Sequence, residues 1–176
     1  MIGFGLDLAG YTTKKTSLAA IEVIKRSAHV TLLRHSAFAQ VRATTLSVES
    51  VVREESSDVE RCLNLGPLAV DIPIDLQGLP YPPTAKQIWE LTKRPIDRKL
   101  RAMPPFADRI GAPVVRFAAV MRSAKLEERL GKSLFETYPT AIWQQLGIVA
   151  GEYKSRQREK AKTREEAARC CAKLSR

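Results

Sequence analysis

Over residues 2–9, apolar Ile2, Phe4, Leu6 and Leu8 alternate with Gly3, Gly5, Asp7 and Ala9. A period of two predicts a β-strand, and its glycines let a neighbouring backbone come close. Residues 10–15 read as a turn. Residues 16–25 and 29–37 are rich in Val, Ile, Leu and Thr, which predicts two more strands and an antiparallel meander of three. Over residues 44–65 the period becomes helical, with Leu46, Val48, Val51, Val52, Val59 and Leu63 as core candidates. Thr44 or Thr45 can cap that helix, Gly66-Pro67 ends it, and Ser56-Ser57-Asp58 is a candidate break. The next strand opens at Pro67 and closes at Pro73, because proline has no amide to donate.

Residues 76–83 form a proline-rich loop. Helical stretches are expected over 84–93, 97–103 and 114–130, then a strand over 133–138 and a short helix over 140–146. A strand reached through a helical crossover runs parallel to its partner. The first, fourth and fifth strands are therefore expected to lie parallel in the middle of one sheet. The predicted class is α/β: a mixed five-stranded sheet, made of a three-strand meander plus two parallel strands, flanked by helices. With 176 residues there is room for one ordinary core. It is expected within residues 1–150, followed by a basic helical tail over 151–176.

Composition narrows the class. No apolar run approaches the roughly 18 to 20 residues of a membrane span, so no membrane partner is expected. The N-terminus enters a strand directly, without a basic start or a small-residue cleavage site. Cys62, Cys170 and Cys171 have no metal-ligand spacing and read as reduced thiols, which fits a cytoplasmic location. The net charge of +10 is uneven: −1 over residues 1–92, +7 over 93–132, −2 over 133–153 and +6 over 154–176. Two basic blocks fit a nucleic-acid partner, since Lys and Arg that neutralise phosphates release counterions; a solvated, solubilising surface is the plainer alternative. Trp89 and Trp143 sit at helical positions and read as core residues, while His29 and His35 lack zinc-ligand spacing.

The sharpest chemical signal is a set of three carboxylates. Asp7, Asp71 and Glu136 each stand at or near the C-terminal end of a short apolar strand, and each is followed by a turn residue, Gly10, Pro73 or Pro139. An acid inside an apolar strand is costly unless paired, hydrogen-bonded or bound to metal. In open α/β sheets, ligands bind beyond the C-terminal ends of the parallel strands. A divalent-metal site built from the three acids follows as an expectation. The competing readings are local: Asp71 satisfying amides before a proline, and Glu136 pairing with a buried arginine. Arg94, Arg98 and Arg101 fall at helical spacings on one face and can clamp a phosphate, or pair with Asp97 or Asp108.

Four stretches in this order resemble a known family: Gly5-Leu6-Asp7-Leu8-Ala9-Gly10, Val70-Asp71-Ile72-Pro73-Ile74-Asp75-Leu76, Arg94-Pro95-Ile96-Asp97-Arg98-Lys99-Leu100-Arg101 and Phe135-Glu136-Thr137-Tyr138-Pro139-Thr140. Tyr153-Lys154 is a weaker fifth. The chain resembles the domain of unknown function 429 family, proposed to consist of ribonuclease H-like nucleases. Members commonly carry cysteine where this chain has Ile96, and usually continue into a further helix bearing an Asp. The resemblance implies hydrolysis of phosphodiesters in structured or duplex nucleic acid with Mg²⁺ or Mn²⁺. In such chemistry two ions stand about 3.5 to 4 Å apart, held by hard oxygen ligands. Asp7 would bridge both ions, Asp71 would hold one, and Glu136 would complete the site or orient the water. Glu49 or Asp75 is a candidate fourth ligand, and Arg94, Arg98, Arg101 and Lys154 are the candidate substrate contacts.

Two other readings compete. Asp7-Leu8-Ala9-Gly10 with Thr12, Thr13 and Lys15 resembles the first phosphate loop of actin-like nucleotide-binding proteins, a reading that requires a homodimer or a lost partner domain. Alternatively, the chain is a non-catalytic descendant of the fold that binds nucleic acid or protein without cutting.

Overall fold

The computed structural model describes residues 1–10, 16–25, 27–40, 47–75, 94–105, 110–145 and 147. Its strands are β1 (Ile2–Asp7), β2 (Ser17–Ile24), β3 (Ser27–Leu32), β4 (Leu68–Val70) and β5 (Leu134–Glu136). Its helices are α1 (Ala37–Gln40), α2 (Val48–Leu65), α3 (Pro95–Leu100), α4 (Gly111–Ala124) and α5 (Pro139–Gln145). The sheet order is β3-β2-β1-β4-β5. β1–β2 and β2–β3 pair antiparallel, while β1–β4 and β4–β5 pair parallel. This is the α/β architecture the hydrophobic pattern predicts. Among the described residues, no helix is long and apolar enough to cross a membrane.

Element ends differ from expectation for local reasons. β3 stops at Leu32, and the predicted continuation to residue 37 becomes a turn leading into α1. Asp58 of α2 accepts the first amide of α1, from Ala37, which fixes that turn. α2 starts at Val48, capped by Ser47, whose hydroxyl accepts the Ser50 amide at 3.2 Å. It runs unbroken through Ser56-Ser57-Asp58, held by the buried side chains Val51, Val59, Cys62 and Leu63 on either side, while the Ser56 hydroxyl donates to the Val52 carbonyl at 2.7 Å. α3 begins two residues earlier than predicted, with Pro95 in its first turn, and ends where Arg101 turns left-handed at φ 52°. α4 begins at Gly111, tolerates Pro113 in its first turn, and ends at left-handed Lys125. The helix predicted to residue 130 thus stops at 124, and Leu126 is buried beyond the bend. The predicted loop at 76–83, the helix over 84–93 and the basic tail lie outside the described residues.

One face of the sheet builds the core. Phe4, Leu6, Leu18, Leu68, Val70 and Leu134 pack against Val59 and Leu63 of α2 and Val114, Phe117 and Val120 of α4. Fully burying a side chain of this size contributes about 1.5–3 kcal/mol. Gly66 closes α2 against the start of β1; a Cβ there would come within 2.3 Å of the Ile2 carbonyl oxygen. On the opposite face, Ile21, Val23, Val30, Leu32 and Phe135 remain exposed.

Candidate functional site

Strand register decides which acids meet. Leu6 of β1 is level with Val70 of β4, and the Asp71 amide donates to the Leu6 carbonyl at 2.9 Å. Asp71 therefore follows Asp7 as its neighbour on the adjacent parallel strand. Side chains alternate across a strand, so Asp7 shares a face with Gly3 and Gly5, opposite buried Phe4 and Leu6. Ala69 is level with Gly5, which puts Asp71 on that same face. Both acids are exposed. Neighbouring strands lie about 4.8 Å apart, a spacing over which two carboxylates can share one cation.

Glu136 does not join them. It is level with Val70, a core-facing residue, so its side chain leaves the sheet on the other face. There it is enclosed by donors. Its Oε2 accepts the Ile74 amide at 2.8 Å, the Asp75 amide at 3.0 Å and Arg94 Nη1 at 3.0 Å. Its Oε1 accepts Arg94 Nη2 at 2.6 Å and the Tyr138 hydroxyl. Burial by itself would raise the Glu136 pKa; Arg94, Tyr138 and the two amides outweigh it and hold the carboxyl below its usual range. With every lone pair occupied, the metal and catalytic roles expected of Glu136 give way to the buried arginine pair. Among the described residues, no three His, Cys, Asp or Glu side chains are grouped to hold a metal.

Arg94 is corrected in the same way. It is 2% exposed, not part of an open phosphate-binding face. Its Nη2 reaches Asp97 Oδ1 at 2.8 Å and Tyr138 at 2.6 Å, and its Nη1 reaches the Asp75 carbonyl at 2.8 Å. The Asp97 carboxylate also accepts the Arg94 amide at 3.0 Å, closing the first turn of α3. Arg94 loses to burial but gains from Asp97 and Glu136, so its pKa lies above the ordinary arginine value. Arg98 and Arg101 are exposed, and Lys154 lies outside the described residues. Of the alternative ligands, Glu49 is exposed on the first turn of α2 and Asp75 is exposed after β4.

A second buried pair escaped the sequence reading. Arg116 of α4 and Glu55 of α2 are bonded through Arg116 Nε, at 3.1 Å, and Nη2. Arg116 Nη1 also donates to the Ala9 carbonyl at 2.6 Å and to the Thr16 hydroxyl at 3.1 Å. The Thr16 oxygen accepts the Ala9 amide at 2.9 Å. The chain two residues beyond Asp7 is thereby tied to both long helices. The signal was available: Glu55 lies four residues from both Val51 and Val59, and Arg116 lies within the buried stripe Pro113, Phe117 and Val120. Acids and bases at such positions are buried in compensating pairs.

The arrangement offers a polar strand edge with two adjacent carboxylates, the chain just beyond the first of them braced at Ala9. Mg²⁺ is commonly held by one or two carboxylates together with waters and substrate phosphates. The donor pair fits an ion shared with a phosphate, and does not fit a closed protein cage. No family model, curated protein or solved structure matches the chain.

Proposed function

We propose that the chain is a Mg²⁺- or Mn²⁺-dependent phosphodiesterase acting on nucleic acid, with Asp7 and Asp71 as the residues that hold the metal. The observation that carries this reading is the β1–β4 register, which sets the two acids side by side on one face at the C-terminal edge of parallel strands. A bound divalent ion would supply charge for the phosphate and a water of lowered pKa. Asp7 and Asp71 would hold that ion at the strand edge. Arg116, Thr16 and Glu55 hold the chain at Ala9, so Asp7 keeps its position. Exposed Arg98, Lys99 and Arg101 supply positive charge for the backbone of the substrate. The resemblance to ribonuclease H-like nucleases supports the same chemistry, with Glu136 reassigned to the scaffold.

A binding role without cleavage is the second reading, favoured by the complete engagement of Glu136 and Arg94 in their own network. Calorimetric titration with Mn²⁺ tests the first. Saturable binding lost in both Asp7→Asn and Asp71→Asn, with manganese-dependent cleavage of a duplex substrate, is the expected result. Absence of binding by the native chain overturns the metal site. Binding without cleavage leaves the non-catalytic reading.

A further inference from the structure

Helix α2 lies over β1 and β4, while the four-residue α1 is the neighbouring helical cover of the β2–β3 hairpin. The hairpin therefore extends past its cover, leaving a groove of about 530 Å³ between it and the C-terminal half of α2. That volume lies within the range of about 300–1,000 Å³ usual for small-molecule pockets. Phe4, Leu18, Ala20, Leu33 and Cys62 are among its apolar lining residues. Ala20 is small where its strand neighbour Leu18 is large, which widens the groove beneath Thr31. Burial and the nearby Asp58 carboxylate push the Cys62 thiol up to about 11, Arg61 opposing them, so the thiol stays neutral and behaves as an apolar wall.

The polar lining is asymmetric in charge. Arg34 and Arg61 stand on it and are exposed, Arg61 with 68% of its side chain accessible. Asp58 is the one acid among the lining residues, and both of its oxygens are engaged. Oδ1 accepts Arg61 Nη2 at 2.6 Å, and Oδ2 accepts the Ala37 amide. Arg61 and Asp58 cancel, and Arg34 leaves the trough one net positive charge, with two guanidinium groups at its border, complementary to an amphiphile with an anionic head.

We propose that this groove binds a free aliphatic carboxylate, its chain along Leu18, Ala20 and Leu33 and its carboxylate between Arg34 and Arg61. The site is separate from Asp7 and Asp71 and does not depend on the function proposed for them. Its test is titration of the full chain with sodium decanoate below its micellar concentration, followed by calorimetry and by methyl NMR. Saturable binding that shifts the Leu18, Ala20 and Leu33 methyl signals is expected. Arg34→Glu should weaken it at least fivefold, and Ala20→Leu, which fills the trough, should abolish it while circular dichroism stays native. Decylammonium, with the same chain and the opposite charge, should bind at least fivefold more weakly. Binding of decylammonium as tight as that of decanoate overturns the proposal. So do unchanged affinity in Arg34→Glu, decanoate shifts confined to Ile21, Val23 and Val30 on the other face, and no saturable binding at all. Arg34→Glu keeps the question decidable if Ala20→Leu unfolds the chain.

Discussion

Two groups of acids sit at the same end of the sheet and live in opposite conditions. Asp7 and Asp71 are exposed on one face, at the ends of β1 and β4. Glu136 and Asp97 lie on the other side, closed around Arg94 and Tyr138, with Asp97 wholly buried. The difference comes from register parity: moving one residue along a strand exchanges the faces. An acid on the core face must be neutralised by partners to fold at all. An acid on the open face keeps contact with solvent and is under no such demand. Position at a strand end is therefore a weaker guide to chemistry than the side of the sheet on which the acid emerges.

The contrast can be broken most forcefully at its buried side. Arg94→Met strands Glu136 and Asp97 without their cation and should cost about 3–5 kcal/mol in denaturant unfolding. Arg116→Met, which strands Glu55, should cost a similar amount, and the double change Glu55→Met with Arg116→Met should recover part of it. A loss under about 1 kcal/mol for either single change would mean these pairs do not hold the fold.

A smaller effect sharpens the comparison through pH. The folded pKa of Glu136 lies below its unfolded value, so its stabilisation is complete above about pH 4.3, the ordinary glutamate value. It is lost as pH falls through the folded pKa. Melting temperature followed from pH 6 to pH 2 should fall on this limb, and Glu136→Gln should flatten the fall while costing about 1–3 kcal/mol at neutral pH. An unchanged acid limb in Glu136→Gln would place the titrating group elsewhere.

The smallest stability effects belong to the open side. Asp7→Asn and Asp71→Asn, both at exposed positions, should each alter unfolding free energy by no more than about 1 kcal/mol, while Mn²⁺ binding falls. A large destabilisation in Asp7→Asn would move that acid into the structural class occupied by Glu136.

Much of the fold was legible before any coordinates. The period-two run ending at Asp7, the helix ending at Gly66-Pro67 and the crossover before β4 were enough for the parallel alignment of β1, β4 and β5, but β5 lies at the edge of the sheet and not in its middle. Helix ends were less legible, because Ser56-Ser57-Asp58 reads as a break until Ser56 is seen bonded to Val52 and Asp58 to Ala37. At the site, spacing identified Asp7, Asp71 and Glu136 as unusual acids, and local pattern alone assigned them to strand ends. Which face each one occupies depends on pairing between segments 60 or more residues apart in the chain. The Arg94–Glu136 and Arg116–Glu55 contacts bridge separations of 42 and 61 residues. Local periodicity is a property of neighbours along the chain, so sequence alone determined the elements and their order. Partnership between distant charges exists only once the sheet has set its register, and that was decided by the tertiary structure.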